Sequence, residues 1–168
     1  MRIIRNILLT ILVLMIQSSF GHQISVLNIK PDLVLLLLIY ISLSGGQIEG
    51  ALFGFLTGFL QDVYSPSYFG MNTLAKSIAG FAVGHGRGVV TESFLIQTLI
   101  VFSAVFLHDM VYFACCSGRD LSSFFFLLFR YGLGTAFYTT LLGICLSVIL
   151  SFSTRGGLHF NAKRLFSE

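Results

Sequence analysis

"EGALFGFLTGFLQDVYSP", Glu49–Pro66, is almost wholly apolar, yet it holds glycine at every fourth place (Gly50, Gly54, Gly58) and an aspartate, Asp62, at the next. Residues four apart share one face of a helix, so the stretch predicts a helix with a single stripe of glycine that ends in a carboxylate. A second stripe, Asn72, Lys76, Gly80 and Gly84, follows after the short segment "SPSYFG". Small residues in register let two backbones approach closely in lipid, where packing rather than hydrophobicity drives helix association. The short connection makes the two helices antiparallel. Folding the hairpin about Ser67 sets Gly54 near Gly80, Gly58 near Lys76 and Asp62 near Asn72.

The solvent for such a hairpin follows from composition. The chain has 168 residues, 55% hydrophobic and 10% charged, whereas a soluble domain carries about a quarter charged residues. A water-facing surface cannot be covered with so few, and one all-α membrane domain is the natural count. The net charge of +3 is too small to suggest nucleic acid. Cys115, Cys116 and Cys145 fall in or beside apolar runs, without zinc or haem spacing, and read as small membrane residues.

A span needs about 20 apolar residues, fewer inside a bundle. Six helices are expected, at about Ile3–Phe20, Asp32–Ser44, Ile48–Tyr64, Met71–Gly84, Ser93–Cys115 and Phe124–Phe152. Pro31 and "SLSGGQ" delimit the second; Pro66, Gly70 and "GHGRG" (Gly84–Gly88) delimit the hairpin. Helices two to four are short, which suggests burial or tilt. The start, "MRIIRNILLTILVLMIQSSFGH", imitates a signal peptide. Its apolar run is long enough for a span and five more follow, which favours a retained helix. The domain reading is a transmembrane unit over residues 1–152 and a short basic tail over 153–168.

With six spans both ends share one side. That side collects Arg2, Arg5, Arg87, Arg155, Lys163 and Arg164, against Lys30 and Arg119 on the other. The bias predicts cytoplasmic termini. In the tail, Leu158, Phe160, Leu165 and Phe166 stand beside the basic residues. That pattern suits a positive flank, or contact with the inner leaflet or a partner.

Depth then sorts the ionisable residues. Asp62, Lys76, His108, Asp109 and Arg130 all fall in the outer half of the expected spans. Intramembrane charges usually face a bundle interior or a wet cavity, and they persist when paired. The expectation is an outer polar cluster of Asp62, Asn72, Lys76, His108, Asp109 and Arg130, open to a partner or a ligand. The plainer alternative is residues that snorkel to the interface. Lys76, one turn deeper than Asp62, is the expected partner that locks the hairpin.

No catalytic arrangement is legible. There is no HExxH, no G-x-S-x-G elbow and no P-loop. His108 and Asp109 are sequence neighbours and point about 100° apart on a helix. Asp62 and Asp109 lack the Gly-x-Gly-Asp setting of intramembrane aspartyl proteases. The glycine-rich backbone beside Arg87 suits a phosphate cradle, but a turn with one orienting charge explains it more simply. No cofactor or metal is expected.

"GALFGFLTGFLQDVYSPSYFGMNTLAKSIAGF", Gly50–Phe81, resembles the central segment of the bacterial rod shape-determining protein MreD family. The shared features are a glycine-spaced helix ending in aspartate (Gly50, Gly54, Gly58, Asp62), then Gly70, Met71 and Asn72, and a second helix with Gly80. "PDLVLLLLIYISL", Pro31–Leu43, matches the family's opening of helix two. The detailed match covers about residues 31–81; the rest agrees only in pattern. The resemblance implies a non-enzymatic scaffold in the bacterial inner membrane that helps direct side-wall peptidoglycan synthesis. Its implied partners are a single-span MreC-like protein and, indirectly, an MreB-like actin filament, a RodA-like glycan polymerase and a class B penicillin-binding transpeptidase. It also implies a compact six-helix bundle similar to the S subunits of energy-coupling-factor transporters. That likeness supplies the competing reading, a small-molecule-binding transporter subunit whose ligand site would be the outer polar cluster.

Overall fold

The computed structural model describes residues 2–20, 29–64, 68–87, 94–118 and 120–153. Every regular element among them is helical: α1 (Arg2–Phe20), α2 (Leu33–Gly45), α3 (Gln47–Tyr64), α4 (Met71–His85), α5 (Phe94–Ser117), and a continuous rod made of α6 (Leu121–Leu127), a π-helical turn (Leu128–Gly132) and α7 (Leu133–Ser153). The expected tail over 153–168, with Arg155, Lys163 and Arg164, lies outside the described residues apart from its first position. Arg119, Gly88 and the Ser65–Ser67 part of the turn lie outside them too.

The short second helix is the centre of the bundle. Asp32 starts it as N-cap, its carboxylate accepting the Leu35 amide at 2.9 Å. That is the usual device for satisfying a first-turn donor. Being apolar all round, α2 has no face to give to solvent, and it touches α1, α3, α4, α5 and α7. Leu35, Leu38, Ile39 and Ile41 are buried with Phe53 of α3, Ala79 and Val83 of α4, Ala104 and Val105 of α5 and Ala136 of α7.

The α3–α4 hairpin is inverted relative to a water-soluble one. Its inner face is mostly small or polar, with Gly50, Gly54, Thr57, Gly58 and Asp62 buried alongside Phe53. Its outer face is large and apolar, with Ile48, Leu52, Phe55, Phe59 and Val63 exposed. Water would penalise such a surface heavily; lipid would not. Two helices, Leu95–Ser117 and Leu121–Ser147, are long and apolar enough to cross a membrane, and Ile3–Ser19 and Leu33–Gly45 are shorter apolar helices.

The register of the hairpin differs from the expected one by a turn. Gly50, not Gly54, faces Gly80: a methyl on Gly50 would stand 2.9 Å from the Gly80 carbonyl carbon. On Gly54 it would stand 2.7 Å from the Lys76 carbonyl carbon, and on Gly58 2.5 Å from the Thr73 Cα. A methyl on Gly84 would likewise stand 2.5 Å from the Gly46 carbonyl carbon. The reason is the overhang of α3, which runs from Gly58 on to Tyr64 past the first turn of α4 before the chain returns. Counting evenly from Ser67 ignores that overhang. At the end where α4 stops, Arg87 donates to the Gly45 carbonyl at 3.1 Å and His85 bonds Gln47. The glycine-rich segment after Val83 thus ties α4 back to the α2–α3 junction.

Candidate functional site

At the opposite end, polar groups converge from several helices. Asp62 comes first because its role follows from the seam. The N-cap position of α4 is Gly70, at φ +91°, which has no side chain to offer the first-turn amides. Asp62 supplies what is missing. Its Oδ1 accepts the Asn72 amide at 3.1 Å and the Asn72 side-chain amide at 3.0 Å; its Oδ2 accepts the Thr73 amide at 2.9 Å and the Thr73 hydroxyl at 2.5 Å. These backbone amides are the two that a local cap would satisfy. A carboxylate is also the right charge for the positive end of the helix dipole. Asp62 therefore caps α4 from α3. With both oxygens engaged it is no half of an aspartyl dyad with Asp109.

Lys76 does not pair with Asp62. It is fully buried, and its ammonium bonds the Asp32 carboxylate across the interface with α2. Asp32 thus has two tasks, since it also caps α2, and its own amide donates to Thr139 Oγ1 at 3.1 Å. The adjoining first turn is held by Gln17 of α1, whose Oε1 accepts the Val34 amide at 3.0 Å. Lys76 chooses Asp32 because Asp62 is already saturated by α4's own amides, and because an unpaired Asp32 in this interface would be costly.

His108 and Asp109 are bonded to each other, Nδ1 to Oδ1 at 2.9 Å, and both are buried. The 100° between neighbouring positions does not keep their side chains apart. His108 also stacks against Tyr112, with ring centroids 6.1 Å apart. Arg130 is not part of the cluster. It is exposed on the π-helical turn, with its guanidinium 6.0 Å from the Tyr131 ring centre.

Between these groups lies a cavity of about 560 Å³, with Gln17, Asp32, Gln61, His108, Asp109 and Tyr112 among its lining residues. The last rod adds Tyr131 and Thr135 to its wall. The π-helical turn, in which the Leu133 amide bonds back to the Leu128 carbonyl, lies in that wall. Such bulges are frequent at functional sites. The sequence reading missed Asp32, Gln17, Gln61 and Tyr112 as site residues. Asp32 was detectable as an acid beside Pro31 at a helix start, but that signal points equally to a plain cap. Among the described residues, no group of three or more His, Cys, Asp or Glu is placed to hold a metal ion. The arrangement can hold helices together and admit a small polar group.

Comparison with known proteins gives one match. The family model for rod shape-determining protein MreD covers residues 1–156 of this chain. No curated protein and no solved structure matches, so the expected likeness to transporter S subunits gains no support there.

Proposed function

Because the chain belongs to the rod shape-determining protein MreD family, membrane-associated components of the rod-shape machinery, we propose that it acts as a non-enzymatic inner-membrane scaffold. It binds a single-span MreC-like protein and helps direct side-wall peptidoglycan synthesis. In this reading the helices form a six-span bundle with cytoplasmic termini. Partners further out are an MreB-like filament, a RodA-like polymerase and a class B transpeptidase. The observation that carries the reading is the family match along nearly the whole chain; the helix-packing seam, built from backbone contacts, is what a rigid scaffold requires. Exposed apolar positions on the phenylalanine-rich rod, such as Phe125, Phe129 and Phe137, offer membrane-facing surface for a partner helix.

The test is depletion in the native rod-shaped host, with rescue by the tagged chain. Conversion of rods to spheres, reversed by the tagged chain, and retention of an MreC-like partner in mild detergent are the expected results. Rods that persist after depletion, or a purified chain that never retains such a partner, would end the reading. A transporter subunit is the second reading, favoured only by the cavity. It requires a metabolite that co-purifies together with an ATPase module.

A further inference from the structure

The cavity at the capped end of the bundle has unmet hydrogen-bonding capacity. Three residues that line it each carry a buried atom without a partner: Gln61 Oε1, His108 Nε2 and Asp109 Oδ2. His108 and Asp109 are each only 5% exposed. The two oxygens, Gln61 Oε1 and Asp109 Oδ2, are acceptors. Leaving such atoms sealed and unpaired is costly.

Charge points the same way. The cavity wall holds two carboxyls, Asp32 and Asp109. Asp32 is matched by the Lys76 ammonium behind it. Asp109 is bonded to its neighbouring histidine, while Lys30 stands exposed at the rim. Asp62 adds a third carboxyl nearby, committed to the α4 amides. Leu14, Ile29 and Phe113 complete the wall with apolar surface. The volume of about 560 Å³ is in the range of small-molecule sites.

We infer that this cavity is a binding site for a donor-rich organic cation, an ammonium or guanidinium head on a short apolar stem, held on the side of the cavity lined by Asp109 and Gln61. The head supplies several N–H donors to these oxygens, and its positive charge answers the Asp109 carboxyl. A guanidinium suits the arrangement especially, because its donors fan out in a plane. The inference rests on this geometry and stands whether or not the scaffold reading does.

Such a head comes either from a free amine or from a basic side chain of a partner helix. The full-length chain in nanodiscs is titrated calorimetrically with butylguanidinium, with butylammonium, and with an apolar helical peptide carrying one central arginine. Saturable binding of at least one cation is expected, weakened about tenfold or more by Asp109→Asn. Gln61→Leu gives a smaller loss in the same direction, and the exposed Arg130→Gln gives none. Peptide binding tighter than that of the free probes assigns the head to a partner; the reverse assigns it to a free amine. If Asp109→Asn lowers the thermal midpoint, the Gln61→Leu titration decides alone. The inference is overturned if no cation saturates, if butyrate binds as well as butylammonium, or if both variants bind like wild type.

Discussion

The α3–α4 hairpin and the α5–α7 hairpin are both apolar, yet different parts of the chain hold them together. In the first, glycines meet backbone: an added methyl on Gly50, Gly54 or Gly58 runs into carbonyl groups or Cα atoms of α4. In the second, side chains meet side chains. Phe102 packs on Phe137 with ring centroids 5.2 Å apart, and a methyl on Gly143 of α7 would meet only side chains, Val101 Cγ1 of α5 at 3.8 Å and Leu36 Cδ2 of the neighbouring α2 at 3.1 Å. A backbone contact has no rotamer to yield, whereas a leucine methyl has several. The first hairpin is therefore fixed in register, and the second can adjust.

The sharpest way to test that contrast is the ion pair which the fixed register aims into α2. Lys76→Met should cost about 3–5 kcal/mol, because it strands the Asp32 carboxylate in a buried interface; thermal unfolding in detergent followed by circular dichroism measures it. Combining Asp62→Lys with Lys76→Asp should bring no recovery over the single changes, since those residues are not partners. Recovery would mean that the pairing described here is wrong. Next comes Gly54→Ala, expected to cost about 3 kcal/mol, the upper end for overpacking, because the obstacle is the Lys76 backbone. A loss below about 1 kcal/mol would show that the hairpin yields after all.

Asp62→Ala should cost about 1–2 kcal/mol, the scale of a lost helix cap. Hydrogen exchange should quicken at the Asn72 and Thr73 amides first, and Asp62→Asn should keep part of the protection. Uniform acceleration along α4 would contradict capping as the cause. The smallest effect is expected from Gly143→Ala. Helix propensity gains about 1 kcal/mol and displacing the Leu36 methyl offsets it, so stability should stay within about 1 kcal/mol of wild type. A loss as large as that of Gly54→Ala would erase the distinction between the two hairpins.

Much of the helical layout was legible in the chain. Pro31, the paired glycines Gly45 and Gly46, and Gly70 punctuate the apolar runs, and the observed bounds of α2, α3 and α4 fall within a residue of those expected. The opposition of Asp62 and Asn72 was legible as well, because both lie beside one short turn. The partner of Lys76 was not. Asp32 is 44 positions away in sequence, and only the placement of α2 against the hairpin brings it near. Local spacing offered Asp62 instead, and nothing local reveals that Asp62 is saturated by the amides of a helix whose cap position is glycine. The π-helical turn was equally hidden. In a run as uniformly apolar as "FFFLLFRYGLG" one extra residue per turn leaves no mark on the hydrophobic pattern. Arg130 was grouped with the cluster by depth alone, and depth does not say which way a side chain faces; here it is exposed.

A cap supplied from another helix also has a consequence for how the chain is built. Synthesis delivers α3 before α4, so when Asn72 and Thr73 emerge, the carboxylate that will receive their amides is already in place. The glycine start of α4 offers no side-chain cap of its own, and a helix so begun gains its footing only beside its predecessor. The two helices are thus expected to fold as one unit, with the order of translation serving as the assembly instruction.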